Sequence, residues 1–347
     1  MSADANLFAQ QEANRRRSTW LVIGFIIFFG WVGFGGDLAF GLLTADAPAG
    51  SYHHVVPFIG IVTSLAAGAI CWYSWRFGPR QVLWSTGARE ILEPATAEER
   101  QLVNVVEEMA IASGLPKPRV WIVPDDDPNA FATGRDAATA SIAVTAGLLR
   151  TLSRDELQGV VAHELAHVRN LDIRLMTLMA GMVGAIALMS DGMGRMMRGS
   201  RGVRGGGGGG SGNGRGKGGG NPLGLVVLVL WLLTLVVAPI VSRILAMAVS
   251  RKREYLADAS GVQFTRNPLA LASALEKLDA AASPTRAITQ GAAHLCIVDP
   301  SPGFLSARDG ALADAFASHP PIRQRIARLQ EMGYLAAADV PSTLPPA

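Results

Sequence analysis

Charge is scarce in this chain. Asp, Glu, Lys and Arg make up 17% of its 347 residues, below the roughly 25% of an ordinary soluble domain. Hydrophobic residues reach 49% and the mean hydropathy is +0.27, which points to membrane segments rather than a wholly soluble protein. Cysteine is nearly missing. Cys71 lies inside an apolar run, Cys296 is far from it, and no CxxC spacing exists, which excludes a disulfide framework and a thiolate zinc knuckle. The net charge is +3 and the pI about 9.1. The basic residues do not alternate with aromatics as a single-strand binder's would, so no nucleic-acid partner is expected. They sit beside apolar runs instead, at Arg15–Arg17, Arg76, Arg80 and Arg251–Arg253. There is no internal repeat.

Four apolar runs are present, and they predict about four transmembrane helices. The first spans Trp20 to Leu43, after a polar start ending in Arg15–Arg17. It is longer than the apolar core of a signal peptide, so it reads as a retained span even though Ala45-Asp46-Ala47 resembles a cleavage site. The second runs from Val55 to Trp75 and is followed by Arg76 and Arg80. That charge bias puts the N-terminus and the chain after residue 76 on the cytoplasmic side. The third run, Leu175 to Met189, is short for a span and is interrupted by Asp191; the fourth is Leu223 to Ile240. Between them Gly202 to Asn221 reads as a flexible connector, and no GxxxxGK[ST] order makes it a phosphate loop. With Arg198, Arg201, Arg204, Arg215 and Lys217 around and in it, this stretch runs against the positive-inside trend if it faces outward.

The remaining chain reads as soluble structure. Thr96 starts a helix with Glu99 as capping partner and an apolar stripe at Leu102, Val105, Val106 and Met109, closed by Gly114 and Pro116. Strands are expected at Arg119–Val123, Asn129–Thr133 and Ser141–Thr145, a sheet of three or four strands. A second capped helix starts at Ser153 with Glu156 and runs to about Asn170; further helices cover Asn267–Leu278 and Pro321–Leu329.

His163 and His167 stand four apart on that second helix, so both imidazoles project from one face and can share one metal ion. Glu164, rotated about 100° from His163, is placed to move a proton at the open side of such an ion. Two histidines do not complete a zinc site; a third protein ligand is needed, with one position left for water. No HExxHxxGxxH extension supplies it, because Asn170 and Ile173 stand at those positions. His53, His54, His294 and His319 are the other histidines, and carboxylates are the alternative. Glu254 is the best candidate, with Asp258 one turn later to accept the second ring N–H of a ligating histidine. The competing reading makes Arg251 to Asp258 a charged membrane-edge segment. If Glu254 and His163 do share an ion, the chain between them crosses the membrane an even number of times, as the third and fourth runs allow by both crossing or neither.

The ordered segments NAFATG (129–134), VTAGLLRTLSRDEL (144–157), VVAHELAH (160–167), SRKREYLADASG (250–261) and HPPIRQRI (319–326) resemble the HtpX-like membrane metallopeptidases, which share a superfamily with the CAAX prenyl peptidases. The resemblance covers about residues 80 to 330. It implies one Zn2+ per chain held by His163, His167 and Glu254, Glu164 as general base, and Asp258 and Arg325 behind the ligands. It places His319 near the cleft, either stabilising an oxyanion or gating the metal, against the plain alternative that His319 caps the helix beginning at Pro320-Pro321. It makes Asn129, Ala130, Phe131 and Ala132 an edge strand that pairs with extended substrate. The implied fold is mainly α with a small β-sheet, a gluzincin-type metallopeptidase domain joined to the spans. Its divisions are 1–76 (tail and transmembrane hairpin), 77–172 (catalytic part with the HExxH helix), 173–250 (third and fourth runs) and 251–347 (C-terminal catalytic part).

The expected function is a zinc endopeptidase of the inner (plasma) membrane, active site facing the cytoplasm, cutting unfolded or membrane proteins in quality control. Its expected partners are protein or peptide substrates, the lipid bilayer and other quality-control components. A specific processing peptidase and a metal-binding scaffold or chaperone without turnover are the alternatives. A metal transporter fits less well, since it needs ionisable residues facing one another within the spans, where Asp191 is nearly alone.

Overall fold

A computed structural model describes residues 3–45, 54–180, 182, 222–281, 295–297 and 320–338. The chain divides into two compact units. One comprises Met1–Ser18, Ser74–Ala180 and Ile244–Ala347, the other Thr19–Tyr73 and Gly181–Arg243.

In the second unit the first two apolar runs fall on helices α1 (Ala3–Thr44) and α2 (Phe58–Ser85), each long and apolar enough to cross a membrane. Their large side chains point outward: Trp20, Ile27, Leu65 and Trp72 are all exposed. Water would penalise so much contiguous apolar surface, and lipid does not. The two helices touch where glycines allow it; a Cβ on Gly33 would lie 2.6 Å from the Gly60 backbone. The first run also contains Asp37, so Asp191 is not the lone ionisable residue of the runs. Asp37 is buried, its Oδ2 accepts from Gly60 N at 2.6 Å and its Oδ1 from Ile59 N at 3.3 Å, and His54 Nε2 lies 2.6 Å from Oδ1. Asp37 thus satisfies the amides that the start of α2 leaves open.

Of the four expected spans, two are helices long and apolar enough to cross a membrane among the described residues. The third run is described through residue 180 and at 182, where Leu175, Met176 and Leu178 are buried; the rest of it, the glycine-rich stretch 202–221 and its side of the membrane lie outside the described residues. The fourth run opens α7 (Pro222–Thr265), whose side chains are described at this end over Pro222–Thr234, all of it apolar.

The first unit is built on a four-stranded mixed sheet of β1 (Arg89–Glu90), β2 (Arg119–Val123), β3 (Ala130–Thr133) and β4 (Ser141–Thr145), in the order β1-β2-β4-β3. β2 and β4 run parallel, in register from Arg119 opposite Ser141 to Val123 opposite Thr145. The connection between them carries β3, which folds back antiparallel on the far side of β4 with Phe131 opposite Ala143. Every residue of β3 and β4 is buried, since helices cover them.

Helix α3 (Ala97–Ser113) is capped by Thr96, whose side chain accepts from Glu99 N. Glu99 reaches back one residue further than expected, accepting from Ala95 N at 2.9 Å and from Arg89. Gly114 ends the helix in the left-handed conformation, φ 70°, the conformation a helix stop of this kind needs. Thr145 closes β4 and at once caps the short α4 (Ala146–Thr151), an element the sequence pattern did not mark. Helix α5 (Arg154–Arg169) starts with the full reciprocal cap: Ser153 N donates to Glu156 Oε2 at 2.7 Å while the Ser153 side chain accepts from Glu156 N. It packs on α3, on β3 and on α8 (Pro268–Ala280), and α8 packs on α9 (Ile322–Ala338). A turn at Leu171 leads into α6 (172–180).

Glu156 does more than cap. Its carboxylate also takes Ser273 Oγ at 2.6 Å and Lys277 Nζ at 2.7 Å, tying α5 to α8. Burial pushes its pKa up, but these donors outweigh burial and hold it near 2, below the ordinary 4.5. A depressed folded-state pKa stabilises the protein above pH 4.5 and loses that stabilisation as pH falls toward 2. Glu156→Ala is therefore expected to cost about 1–2 kcal/mol at neutral pH. Acid melts should show a flatter loss of stability between pH 4.5 and 2 than the parent; an unchanged acid profile refutes this.

Candidate metal centre

The cap at Ser153 starts α5 in a phase that turns His163 and His167 inward, where both rings are buried. Their Nε2 atoms lie 3.3 Å apart. Helix α7 brings Glu254 against them, with Oε2 at 3.5 Å from His163 Nε2 and Oε1 at 3.6 Å from His167 Nε2. Zinc–nitrogen bonds of about 2.0–2.1 Å in a tetrahedron separate neighbouring donors by about 3.3–3.4 Å. The imidazole pair matches that edge, Glu254 sets one oxygen near each ring, and the ligand atoms lie within 4.8 Å of one another, so the donor set fits one zinc ion. The approach of α7 depends on Gly261, where a Cβ would lie 3.1 Å from His163 N. As expected from the sequence, α7 continues unbroken from the fourth apolar run through Glu254 and Asp258.

Each imidazole is oriented from behind. Asp258 Oδ1 lies 2.9 Å from His163 Nδ1. Asp258 is in turn gripped through both oxygens by Arg325 from α9, Nε to Oδ2 at 2.9 Å and Nη2 to Oδ1 at 2.7 Å. The same guanidinium lies 3.3 Å from Glu254 Oε2 and donates to Ile297 O at 3.2 Å. For His167 the partner is Asp172, Oδ2 at 3.1 Å from Nδ1. No motif in the sequence marks Asp172. Its position just beyond the helix end was a usable signal, but only Leu171 at φ 59° turns the chain back so that Asp172 meets the ring. A non-glycine residue there costs on the order of 1 kcal/mol of strain.

Charge is concentrated here. Glu164, Glu254, Asp258 and Asp172 are all buried, and among the described residues Arg325 and Arg253 are the buried guanidiniums beside them. Four carboxylates against two guanidiniums leave a deficit that a divalent cation cancels, and an uncompensated buried charge is costly. Burial raises the Asp258 pKa, yet Arg325 outweighs it and holds the group near 2. Burial lowers that of His163, but the bonds to Asp258 and Glu254 win and lift it to about 9, a measure of how strongly this cage favours positive charge. Glu164 is shifted upward, chiefly by burial, while Ala132 N–H donates to its carboxylate.

That bond places Glu164 against β3. The strand begins at Ala130, one residue later than expected, because Asn129 is used otherwise: its N–H donates to Thr145 Oγ1 at 2.8 Å and its Oδ1 accepts from Ala130 N. β3 does end the sheet, as an edge strand should. Its outer side is not bare, however. Phe131 forms an antiparallel bridge with Cys296, and Ile297 N donates to Ala130 O at 3.0 Å. His319 lies outside the described residues, as do His53 and His294, and His54 belongs to the Asp37 cap.

Removing Arg325 would strand two buried carboxylates. Arg325→Met is expected to destabilise the protein by about 3 kcal/mol or more, read as a lowered thermal midpoint without added metal. A midpoint equal to the parent's would contradict the charge balance described above.

The chain matches the family model described as peptidase family M48 over residues 96–333. It is 38% identical over 327 residues to a protease HtpX homolog of Streptococcus gordonii, covering 94% of this chain and 100% of that relative. It is 41% identical over 270 residues to a protease HtpX homolog of Thermoanaerobacter pseudethanolicus, covering 75% of this chain and 80% of that relative. A protease HtpX homolog of Tropheryma whipplei is 41% identical over 276 residues, covering 80% of this chain and 86% of the relative. Among solved structures, Ste24p of S. mikatae superposes with a TM-score of 0.44 at 17% identity, over 89% of this chain and 66% of that one. Matched by the family model over most of its length and carrying two apolar helices of span length, the chain belongs to peptidase family M48 and is a membrane metalloprotease.

Proposed function

We propose that this protein is a zinc-dependent endopeptidase in which His163, His167 and Glu254 hold one Zn2+ and Glu164 is the general base. The observation that carries the reading is the spacing of the three donors, 3.3, 3.5 and 3.6 Å, inside a buried cage short of positive charge. A zinc ion held there supplies Lewis acidity that activates water and polarises a scissile carbonyl.

Glu164 takes the proton from the attacking water and returns it to the leaving amine. Its burial suits both halves of that cycle, since a carboxyl shifted upward holds a proton more readily than an exposed one. Asp258 and Asp172 keep the two imidazoles in the tautomer that presents Nε2. Arg325 keeps Asp258 ionised. Extended substrate pairs with the outer edge of β3 along Asn129 to Ala132, next to Glu164. Residues 295–297 release Ala130 O when it does so, because that carbonyl otherwise takes Ile297 N. His319 supplies the cationic donor for the developing oxyanion, a role taken from the HPP segment of the resemblance.

The charge bias around the first two runs supports a catalytic unit on the cytoplasmic side of the inner membrane. Unfolded and membrane proteins are then its substrates, in quality control. An edge-strand mode supports this choice, since it reads backbone before side chains and favours extended chains.

Glu164→Gln is expected to keep one zinc per chain while casein cleavage and self-cleavage fall by about a thousandfold. Cleavage at the parent rate would sink the proposal, and a retained physiological effect without cleavage would favour a scaffold. Glu254→Ala should lose zinc. Gly261→Val, which pushes α7 off His163, should weaken zinc binding with Glu254 intact. Full zinc content in both variants would reject Glu254 as a ligand.

A further inference from the structure

The polar stretch ahead of the first apolar run has no part in the chemistry above, yet it reaches the metal centre. Helix α1 extends back through it, and residues up to Ser18 belong to the same compact unit as α5. Asn14 is fully buried, 0% exposed. Its Nδ2 donates to Asp172 Oδ1 at 2.7 Å and to Asn170 O at 2.8 Å. Both partners are acceptors, and Arg17 Nη1 lies 3.4 Å from Asn14 Oδ1, so the amide has one sensible orientation. Ser18 Oγ donates to Asn14 O, and Gln11 Nε2 donates to Arg169 O at 2.7 Å.

We propose that Asn14 is a positioning residue of the metal centre, acting on His167 through Asp172; the inference rests on the metal-ligand reading of His163, His167 and Glu254. A carboxylate orients an imidazole only while its own rotation is fixed. Asn14 holds Oδ1 of Asp172 and leaves Oδ2 facing His167 Nδ1 at 3.1 Å. A competitor stands close by, since Arg253 Nη1 lies 3.9 Å from the same Oδ1. Without Asn14, Arg253 draws Asp172 out of line with the ring, and His167 loses the partner that fixes its tautomer and raises its basicity. The bond to Asn170 O adds a second tie, at the residue that ends α5. Among Gln11, Asn14, Arg17 and Ser18 of the polar segment, Asn14 alone is on this account part of the metal centre.

The test uses the full chain in detergent, in the Glu164→Gln background to prevent self-cleavage. Zinc affinity is measured by chelator competition, and the ligand field by the visible absorption of the cobalt-loaded protein. Asn14→Ala is expected to weaken zinc binding by about tenfold and to shift the cobalt bands. Gln11→Ala, which removes a neighbouring tie of the same segment, should change neither. In an Asp172→Ala background the Asn14 substitution should have no further effect on affinity. Should Asn14→Ala not accumulate folded, Asn14→Ser reads the same quantities. Affinity within about twofold of the parent with unshifted bands overturns the proposal. So does an equal loss from Gln11→Ala, or an undiminished effect of the Asn14 substitution without Asp172; either makes the role merely structural. A parent that binds no zinc or cobalt overturns the metal-ligand reading and this inference with it.

Discussion

The catalytic unit is organised around the difficulty of burying carboxylates. Glu164, Glu254, Asp258 and Asp172 lie together out of water around two imidazoles. In a low-dielectric interior such a group persists only if each charge is answered. Arg325 answers Asp258, Asn14 and Arg253 attend to Asp172, and an edge-strand amide reaches Glu164. Among the described residues the buried guanidiniums here are fewer than the carboxylates, a deficit that a divalent ion would cancel.

That demand explains why so many separate parts of the chain converge. α5 brings two rings, α7 the carboxylates of Glu254 and Asp258, α9 a guanidinium, the turn after α5 the carboxylate of Asp172, and α1 an amide. Close backbone approach at Gly261 and the left-handed turn at Leu171 bring two of these into reach, and both are local sacrifices of ordinary packing or backbone comfort. The sheet has a comparable compromise. β3 lies beside the proposed base, where an open strand edge would suit an extended peptide, but an open edge also invites unwanted pairing. Residues 295–297 cover it, and Arg325 holds the Ile297 carbonyl, so cover and metal cage share one side chain.

Much of this was legible in one dimension. The caps at Thr96 and Ser153, the stripe on α3, the apolar runs and the pair His163 and His167 are all local patterns, and local hydrogen bonding and periodicity decide them. Motif resemblance extended the reading to Glu254, Asp258 and Arg325. Three features escaped. Asp37 was hidden within a run judged by its average hydropathy. Asp172 belongs to no motif, and its partnership with His167 depends on the turn at Leu171. Asn14 lay in a segment with no apolar period of its own to mark it as buried.

The sequence by itself determined which helix carries the paired histidines, where that helix starts, and that the chain holds long stretches suited to lipid. Those properties depend on residues within a few turns of one another. Only the tertiary structure decided that Glu254 Oε1 and Oε2 stand opposite the two Nε2 atoms, that Asp172 rather than a more distant carboxylate supports His167, and that Asn14 reaches across to it. These are meetings of side chains far apart in sequence, and what selects them is the mutual compensation of buried charge, which no single segment carries.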